Sequence, residues 1–235
     1  MEPAPVAIDR HPHLADPVDH GLLRVDCHSH TMWSGDCTTT LDELARSVAE
    51  AGIDVLCVTD HHAVAGAEAA REALPCRVVV GEEVRTHAGE LIGLFLTERV
   101  PQGLPADETA RRIRDQGAIV YVPHPFDPMR HCLAESTLFD LIDRELIDAV
   151  EAWNGKTSLR SLNRRAAELA VEAGLPAGAG SDAHVPDAIG AAYVEMTDFE
   201  GPTEFLAALA TARVVGHHWD QPRPWSPRIV PSTTS

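Results

Sequence analysis

The feature that most constrains this sequence is an alternation of short apolar runs with amphipathic segments, in which the polar residues gather just after the runs. Runs at 22–27 (LLRVDC), 54–59 (DVLCVT), 76–81 (CRVVVG), 90–96 (ELIGLFL), 118–122 (AIVYV), 147–153 (IDAVEAW) and 176–180 (PAGAG, short and weak) have the length and composition of strands. Thr40-Leu41-Asp42-Glu43 is a capping-box pattern, followed by Leu41, Leu44, Ala45 and Val48 at helical spacing as far as Gly52. Further helices are predicted over 64–74, 107–116, 135–145, 158–173 and 203–212. Strand then helix, repeated about seven times, predicts a mainly parallel sheet with right-handed crossovers. An open doubly wound sheet would satisfy that pattern, but neither GxGxxG nor GxxxxGK[ST] follows the first strand, so its usual nucleotide-binding use has no support. A closed barrel is the preferred reading, and 235 residues can serve one as a single domain. The 44% apolar content is enough for a core. Residues 1–20 (Pro, His, Asp) and 220–235 (Pro, Ser, Thr) read as tails around one domain at 21–219.

Charge narrows the partners. With 19 basic and 36 acidic residues the net charge is −17, which argues against nucleic acid or an anionic membrane as the main partner. A small anionic substrate stays admissible, because bound cations can invert the local field. No run approaches 18 continuous apolar residues, so no membrane span is expected. The N-terminal Met-Glu-Pro-Ala-Pro lacks the basic and apolar regions of a signal peptide. Cysteines at 27, 37, 57, 76 and 132 are odd in number and form no CxxC, as expected of a reduced, cytoplasmic setting.

The polar residues carry the chemistry. After the first strand come Asp26-Cys27-His28-Ser29-His30 and then Asp36; after the second, Asp60-His61-His62; after the third, Glu82 and Glu83. His124-Pro125 follows AIVYV, Glu151 lies within its strand, and Ser181-Asp182-Ala183-His184 follows PAGAG. In a parallel barrel those strand ends share one face, where active sites form. Alternation along an extended segment turns His28 and His30 one way and Cys27 and Ser29 another, and likewise pairs Asp182 with His184. Taken singly, a His-x-His, an Asp-His or a His-Pro is weak; four strand ends with histidine and interleaved carboxylates are hard to obtain by chance. The set has too many carboxylates for one tetrahedral structural zinc and suits two or three hydrolytic cations bridged by a carboxylate. No GxSxG elbow competes with it, and Cys27 and Cys37 read as packing residues.

DCHSH, TDHH, GEEV, VPHP and GSDAH, in this order from about Val25 to about Ile189, resemble the polymerase and histidinol phosphatase (PHP) family of metal-dependent phosphoesterases. The resemblance implies an α/β fold, a distorted (β/α)7 TIM-like barrel, with up to three divalent cations (Mn, Fe or Zn) on its C-terminal face. It implies that His28, His30 and Asp182 hold the first metal, that Glu83 bridges it to a second with His124, and that Asp36, His61 and His184 hold the third. The family's second metal has a further histidine, in a segment like His-Ile-Val-Gly-Leu. Here that segment is Glu90-Leu91-Ile92-Gly93-Leu94, so Glu90 takes the place, and its charge favours harder cations such as Mn or Fe. His87 ranks below Glu90 as a ligand. Asp26 and Asp60 are expected to orient the histidines.

The implied activity is hydrolysis of a small soluble phosphate monoester, possible variants being nucleotide-like or cyclic, through a metal-activated water. His184, with its metal or a water it activates, and His61 carry the catalytic expectation. Arg130, Lys156 and Asn154 are the expected substrate contacts, with Trp153 either lining the pocket or in the core. The alternatives are a nuclease or proofreading-type phosphodiesterase, opposed by the charge and the lack of a basic stripe, and a non-catalytic metal-binding module, opposed by the nearly full ligand set. An amidohydrolase-type reaction lacks a lysine placed to bridge metals. His62 and His131 lie near the site without a role; His11, His13, His20, His217 and His218 read as surface residues.

Overall fold

The computed structural model describes residues 8–9, 21–157 and 159–216. The expected tails, apart from the backbone of 8–9, lie outside the described residues, as do the expected boundary at 219 and His11, His13, His20, His217 and His218. The strands are β1 (Ile8–Asp9), β2 (Leu23–Ser29), β3 (Val55–Val58), β4 (Arg77–Thr86), β5 (Gly89–Leu94), β6 (Ile119–Val122), β7 (Ala149–Asn154), β8 (Ala177–Gly180), β9 (Ala192–Met196) and β10 (Arg213–Gly216). The helices are α1 (Leu41–Ala51), α2 (Ala65–Ala73), α3 (Ala106–Asp115), α4 (Glu135–Asp143), α5 (Arg160–Ala173) and α6 (Pro202–Leu209).

Local chemistry sets the helix ends. Thr40 accepts the Glu43 N–H while Glu43 reaches back to the Thr40 N–H, and Gly52 closes α1 in the left-handed region at φ 64°. Gly174 ends α5 in the same way at φ 66°. Strand alternation is visible in β3. Val55 and Cys57 pack with Val25, Ile92 and Tyr121, while Leu56 and Val58 pack with Leu44 and Val48 of α1. Burying a side chain of that size stabilises the fold by about 1.5–3 kcal/mol.

The sheet runs in the order β1-β10-β9-β2-β3-β4-β5-β6-β7-β8. Strands β2 to β8 form a nearly closed barrel, the expected α/β architecture. Its last seam is made just beyond β8: Ser29 bridges Ala183, His30 donates to the Ala183 carbonyl at 3.1 Å, and Asp182 donates to the His28 carbonyl at 2.7 Å. The closing bonds are therefore made by the same segments that carry His28, His30 and Asp182.

Two expectations change. The alternation is interrupted at β4 and β5, which form an antiparallel hairpin with no helix between them; β5 then pairs antiparallel with β6. In addition, β9 and β10 follow β8. β9 runs antiparallel to the first half of β2 (Leu23 opposite Met196), and β10 pairs antiparallel with β9. Phe199 and Phe205 of this segment form an edge-to-face trio with Phe95, which follows β5, with centroids 5.0–6.2 Å apart.

The weak strand β8 has a packing reason for its glycines. A Cβ on Gly178 would meet the Tyr121 ring, and one on Gly180 would run into the His28 side chain. Low strand propensity at β8 accompanies the close approach of β2 and β6 side chains to its backbone.

Candidate metal centre

The barrel brings the chemistry-bearing residues to one end. His28 and His30 lie at the end of β2, and Glu83 near the end of β4. His61 follows β3, His124 follows β6, and Asp182 and His184 follow β8. Glu90 reaches the same end from the start of β5, because that strand runs the opposite way. His61 and Glu83 are joined directly by a parallel bridge.

The Nε2 atoms of His28 and His30 lie together, with Glu83 and Asp182 oxygens beside both. His28 Nε2 lies 3.1 Å from His30 Nε2 and 3.2 Å from Glu83 Oε2. His30 Nε2 lies 3.3 Å from Glu83 Oε2 and 3.5 Å from Asp182 Oδ1, and His28 Nε2 is 3.8 Å from the latter. Ligand atoms at ~2.1 Å around a tetrahedral cation are about 3.4 Å apart, so these spacings leave room for one. The other oxygen of Glu83, Oε1, is 2.9 Å from His124 Nε2. Glu83 thus faces His28 and His30 with one oxygen and His124 with the other. Glu90 and His61 complete a group with Glu83, in which His61 Nδ1 is 3.5 Å from Glu83 Oε2 and has no hydrogen-bond partner. Asp36 Oδ2 stands 3.0 Å from His184 Nε2 and 3.6 Å from His61 Nε2. These placements bring together all nine residues that the sequence put forward as ligands. His87 is in none of the ligand groups among the described residues.

Buried partners hold the rings. Glu151, inside β7, has Oε1 3.1 Å from His28 Nδ1; being an acceptor, it holds a proton there, so that Nε2 would be the atom offered to a cation. Its other oxygen accepts the His124 N–H and the Asn154 amide. Ser34 Oγ is 3.2 Å from His30 Nδ1, accepts the His61 N–H and donates to Asp36. Sequence reasoning counted Glu151 among the polar residues at the strand ends without giving it a partner, and gave Ser34 no role. A lone glutamate in an apolar strand was the available signal for Glu151. Asp26 and Asp60 act differently from expectation. Asp26 accepts N–H groups of His28, Ser181 and Gly190, while Asp60 takes the N–H and hydroxyl of Thr31. Both tie loop backbones together rather than turning an imidazole. His124 (φ 30°) and Asp182 (φ 48°), both candidate ligands, are two of five described non-glycine residues in left-handed backbone, at a cost of about 1–3 kcal/mol each.

The electrostatics are those of a site short of positive charge. Burial would lower His28, yet the charges of Glu151 and Glu83 raise it well above the ordinary imidazole value. Burial also opposes protonation of His61, but the Asp36 hydrogen bond and the Glu83 charge raise it to about 9. Despite burial, the His28 charge and hydrogen bonds from His124 and His28 hold Glu83 well below the carboxylate range; for Asp182 the charges of Lys156 and His28 do the same. Burial, with the nearby Glu83 charge, pushes Glu90 up to about 7. Without a cation the cluster balances its carboxylates by protonating imidazoles. Divalent ions would replace those protons, and the donor set and spacing fit them.

The expected substrate contacts occupy different places. Lys156 Nζ is 3.2 Å from Asp182 Oδ1 and 2.9 Å from His184 Nδ1. Arg130 Nε is 3.8 Å from Asp182 Oδ2, and Arg130 Nη2 donates to the Lys156 carbonyl. Asn154 is fully buried, with its amide nitrogen donating to Glu151 and Asp182. Trp153 is half-buried beside the main core cluster. His87 and His131 line a groove next to the site, and His62 Nδ1 is buried without a hydrogen-bond partner.

Residues 26–108 match the PHP domain family and residues 160–214 the PHP-associated family. An uncharacterized protein of Methanocaldococcus jannaschii is 32% identical over 198 residues, which cover 80% of this chain and 79% of that protein. Among solved structures, a two-domain Bacteroides vulgatus protein described as containing a predicted PHP-like metal-dependent phosphoesterase superposes with a TM-score of 0.69. It is 18% identical, over 90% of this chain and 70% of its own. The lesion-specific endonuclease EndoQ of Pyrococcus furiosus superposes with a TM-score of 0.60 at 13% identity, over 82% of this chain and 57% of its own. At those identities the structural likenesses speak for the fold.

Proposed function

The chain belongs to the PHP domain family, and on that premise we propose that it is a metal-dependent phosphoesterase hydrolysing a small phosphate monoester. The observation that carries this reading is Glu83, with Oε2 toward His28 and His30 and Oε1 toward His124. A carboxylate so placed can link two cations about 3.5–4 Å apart. Two or three divalent ions there (Mn, Fe or Zn) would acidify a water into a nucleophile and neutralise phosphoryl oxygens.

The chain's own residues do the rest. Arg130 and Lys156, now turned to Asp182, are the cations that can swing to the non-bridging oxygens of a phosphate. Asn154 holds Asp182 and Glu151 in place behind them. His184, whose Nε2 contacts Asp36, is the proton donor assigned to the leaving oxygen in this reading, with His61 beside it. The net charge of −17 supports a small phosphate over a polynucleotide, and the likeness to an endonuclease is one of fold.

The test is phosphate release by Mn-, Fe- or Zn-loaded protein over a panel of phosphomonoesters and cyclic phosphates, beside His61→Ala. Release that drops about 100-fold or more in the variant is expected. No release above a metal-only background from protein shown to hold metal would contradict the reading.

A further inference from the structure

Apolar side chains as well as charged ones stand on the loops around the metal centre. Seven large apolar side chains are exposed among the described residues, and five of them belong to loops that also carry site residues. Met32 and Trp33 follow His30, Met129 precedes Arg130, Leu159 lies three residues past Lys156, and Val185 follows His184. Exposed apolar side chains on the loops that carry the site residues offer a ligand hydrocarbon surface there.

Beside that mouth runs a groove of about 720 Å3, lined in part by Pro125, Phe126, Pro128, Leu133 and Leu162. Arg130 is common to groove and metal centre: it lines the former, and its Nε is 3.8 Å from Asp182. The two are also tied through backbone, because the Glu90 N–H donates to the carbonyl of His131, another lining residue. Phe126, 8% exposed, is held at the groove's base by the Arg165 guanidinium, 3.9 Å over its ring. Met129, between two lining residues, is 75% exposed at its lip.

From this we infer that the substrate is a phosphate monoester of an apolar alcohol, its phosphoryl group at the metal centre and its hydrocarbon part in the Phe126–Leu162 groove. Arg130 stands where the two parts meet and can bind the ester's phosphoryl group, while the groove removes the alcohol from water. The polar side chains of the groove are His87, Arg130, His131 and Glu135; the other lining residues are apolar or glycine, so the stretch from Pro125 to Leu162 favours a hydrocarbon over a hydroxyl-rich alcohol such as a sugar. The inference rests on the phosphoesterase reading for the reaction, but its recognition claim can be measured without turnover.

The test is calorimetric binding of two non-hydrolysable phosphonates to the Mn-loaded protein, 3-phenylpropylphosphonate and 3,4-dihydroxybutylphosphonate. Hydrolysis of the matching pair, 2-phenylethyl phosphate and glycerol 1-phosphate, is measured alongside; both are esters of primary alcohols, so leaving-group acidity does not decide the comparison. About 30-fold tighter binding of the phenylpropyl ligand is expected. Met129→Ser, at an exposed position that leaves folding untouched, and Leu162→Ser in the groove should each remove several-fold of that preference and leave the diol ligand unchanged. Equal binding of the two phosphonates, or a preference that survives both substitutions, overturns the inference. Release from glycerol 1-phosphate at equal efficiency also overturns it while leaving the phosphoesterase reading intact. Selective binding without hydrolysis of either ester supports the groove and overturns the reaction.

Discussion

At the scale of single residues, function is concentrated in a few carboxylates that differ in what they touch. Glu90 takes a position where the family resemblance led one to expect a histidine, and Arg85 holds one of its oxygens at 3.2 Å. Its carboxyl is pushed up to about 7 by burial and by Glu83, so it ionises most readily when a cation arrives. Glu90→His is expected to keep metal binding but shift preference toward zinc, read by competition between Mn and Zn for the metal-free protein; an unchanged preference would show that Glu90 is not a ligand. Glu151 touches no substrate on this account and acts by orienting His28 and the His124 backbone. Glu151→Ala should weaken metal affinity about 10–100-fold while circular dichroism stays native. A variant with unaltered metal affinity would reduce Glu151 to a packing residue.

At the scale of elements, the barrel is held where the ligands are, so fold and site share their weak points. Gly180 lets β8 pass against His28 and Glu151. Gly180→Ala should therefore lower stability by about 1–3 kcal/mol in urea unfolding and also cost metal affinity, whereas a purely local defect would change the first alone. By contrast, Thr40→Ala removes the α1 cap on the far side of the loop and should cost about 1 kcal/mol with no effect on metal. These elements also show what the sequence made legible. Helices with a cap or a closing glycine, such as α1 and α5, were readable to within two residues at each end, because their signals are local. The strings around His28, His61, Glu83, His124 and Asp182 were readable for the same reason. What escaped depends on distant pairing. The antiparallel sense of β5 follows from a hairpin at 86–89, and β9 is a strand because Met196 finds Leu23. The position of Glu90 near Glu83 was reached only through resemblance; a rule about strand ends points away from the first residues of a strand. Glu151 and Ser34 gave no motif, since a single polar residue beside a ligand becomes meaningful only when the strands close.

At the scale of the whole molecule, acidity and burial together set how stability responds to pH and metal. Glu82 is buried beside the site without being among its ligands. Burial pushes its carboxyl up to about 7, against the opposing Val100 N–H at 2.7 Å and the Arg99 charge. A carboxyl raised in the folded state stabilises most below its unfolded value near 4.5, and that stability is lost as pH rises through about 7. Chelator-treated protein should thus lose on the order of 2 kcal/mol between pH 5 and pH 8 from this group, and Glu82→Gln should flatten the slope by a similar amount. An unchanged slope in the variant would assign the pH dependence elsewhere. Restoring divalent metal to the chelated protein should raise Tm, since ions that bind only the folded barrel stabilise it by mass action.

The central claim is that Glu83 joins two cation sites, and the most direct measurement of it is metal content. Wild-type protein and Glu83→Gln would be loaded with Mn, freed of excess ion and assayed for metal per chain by mass spectrometry. The account requires about two or more ions in the wild type and a loss of at least one in the variant, with the fold retained by circular dichroism. A wild type that binds a single ion, or a Glu83→Gln variant that keeps the full complement, would contradict it.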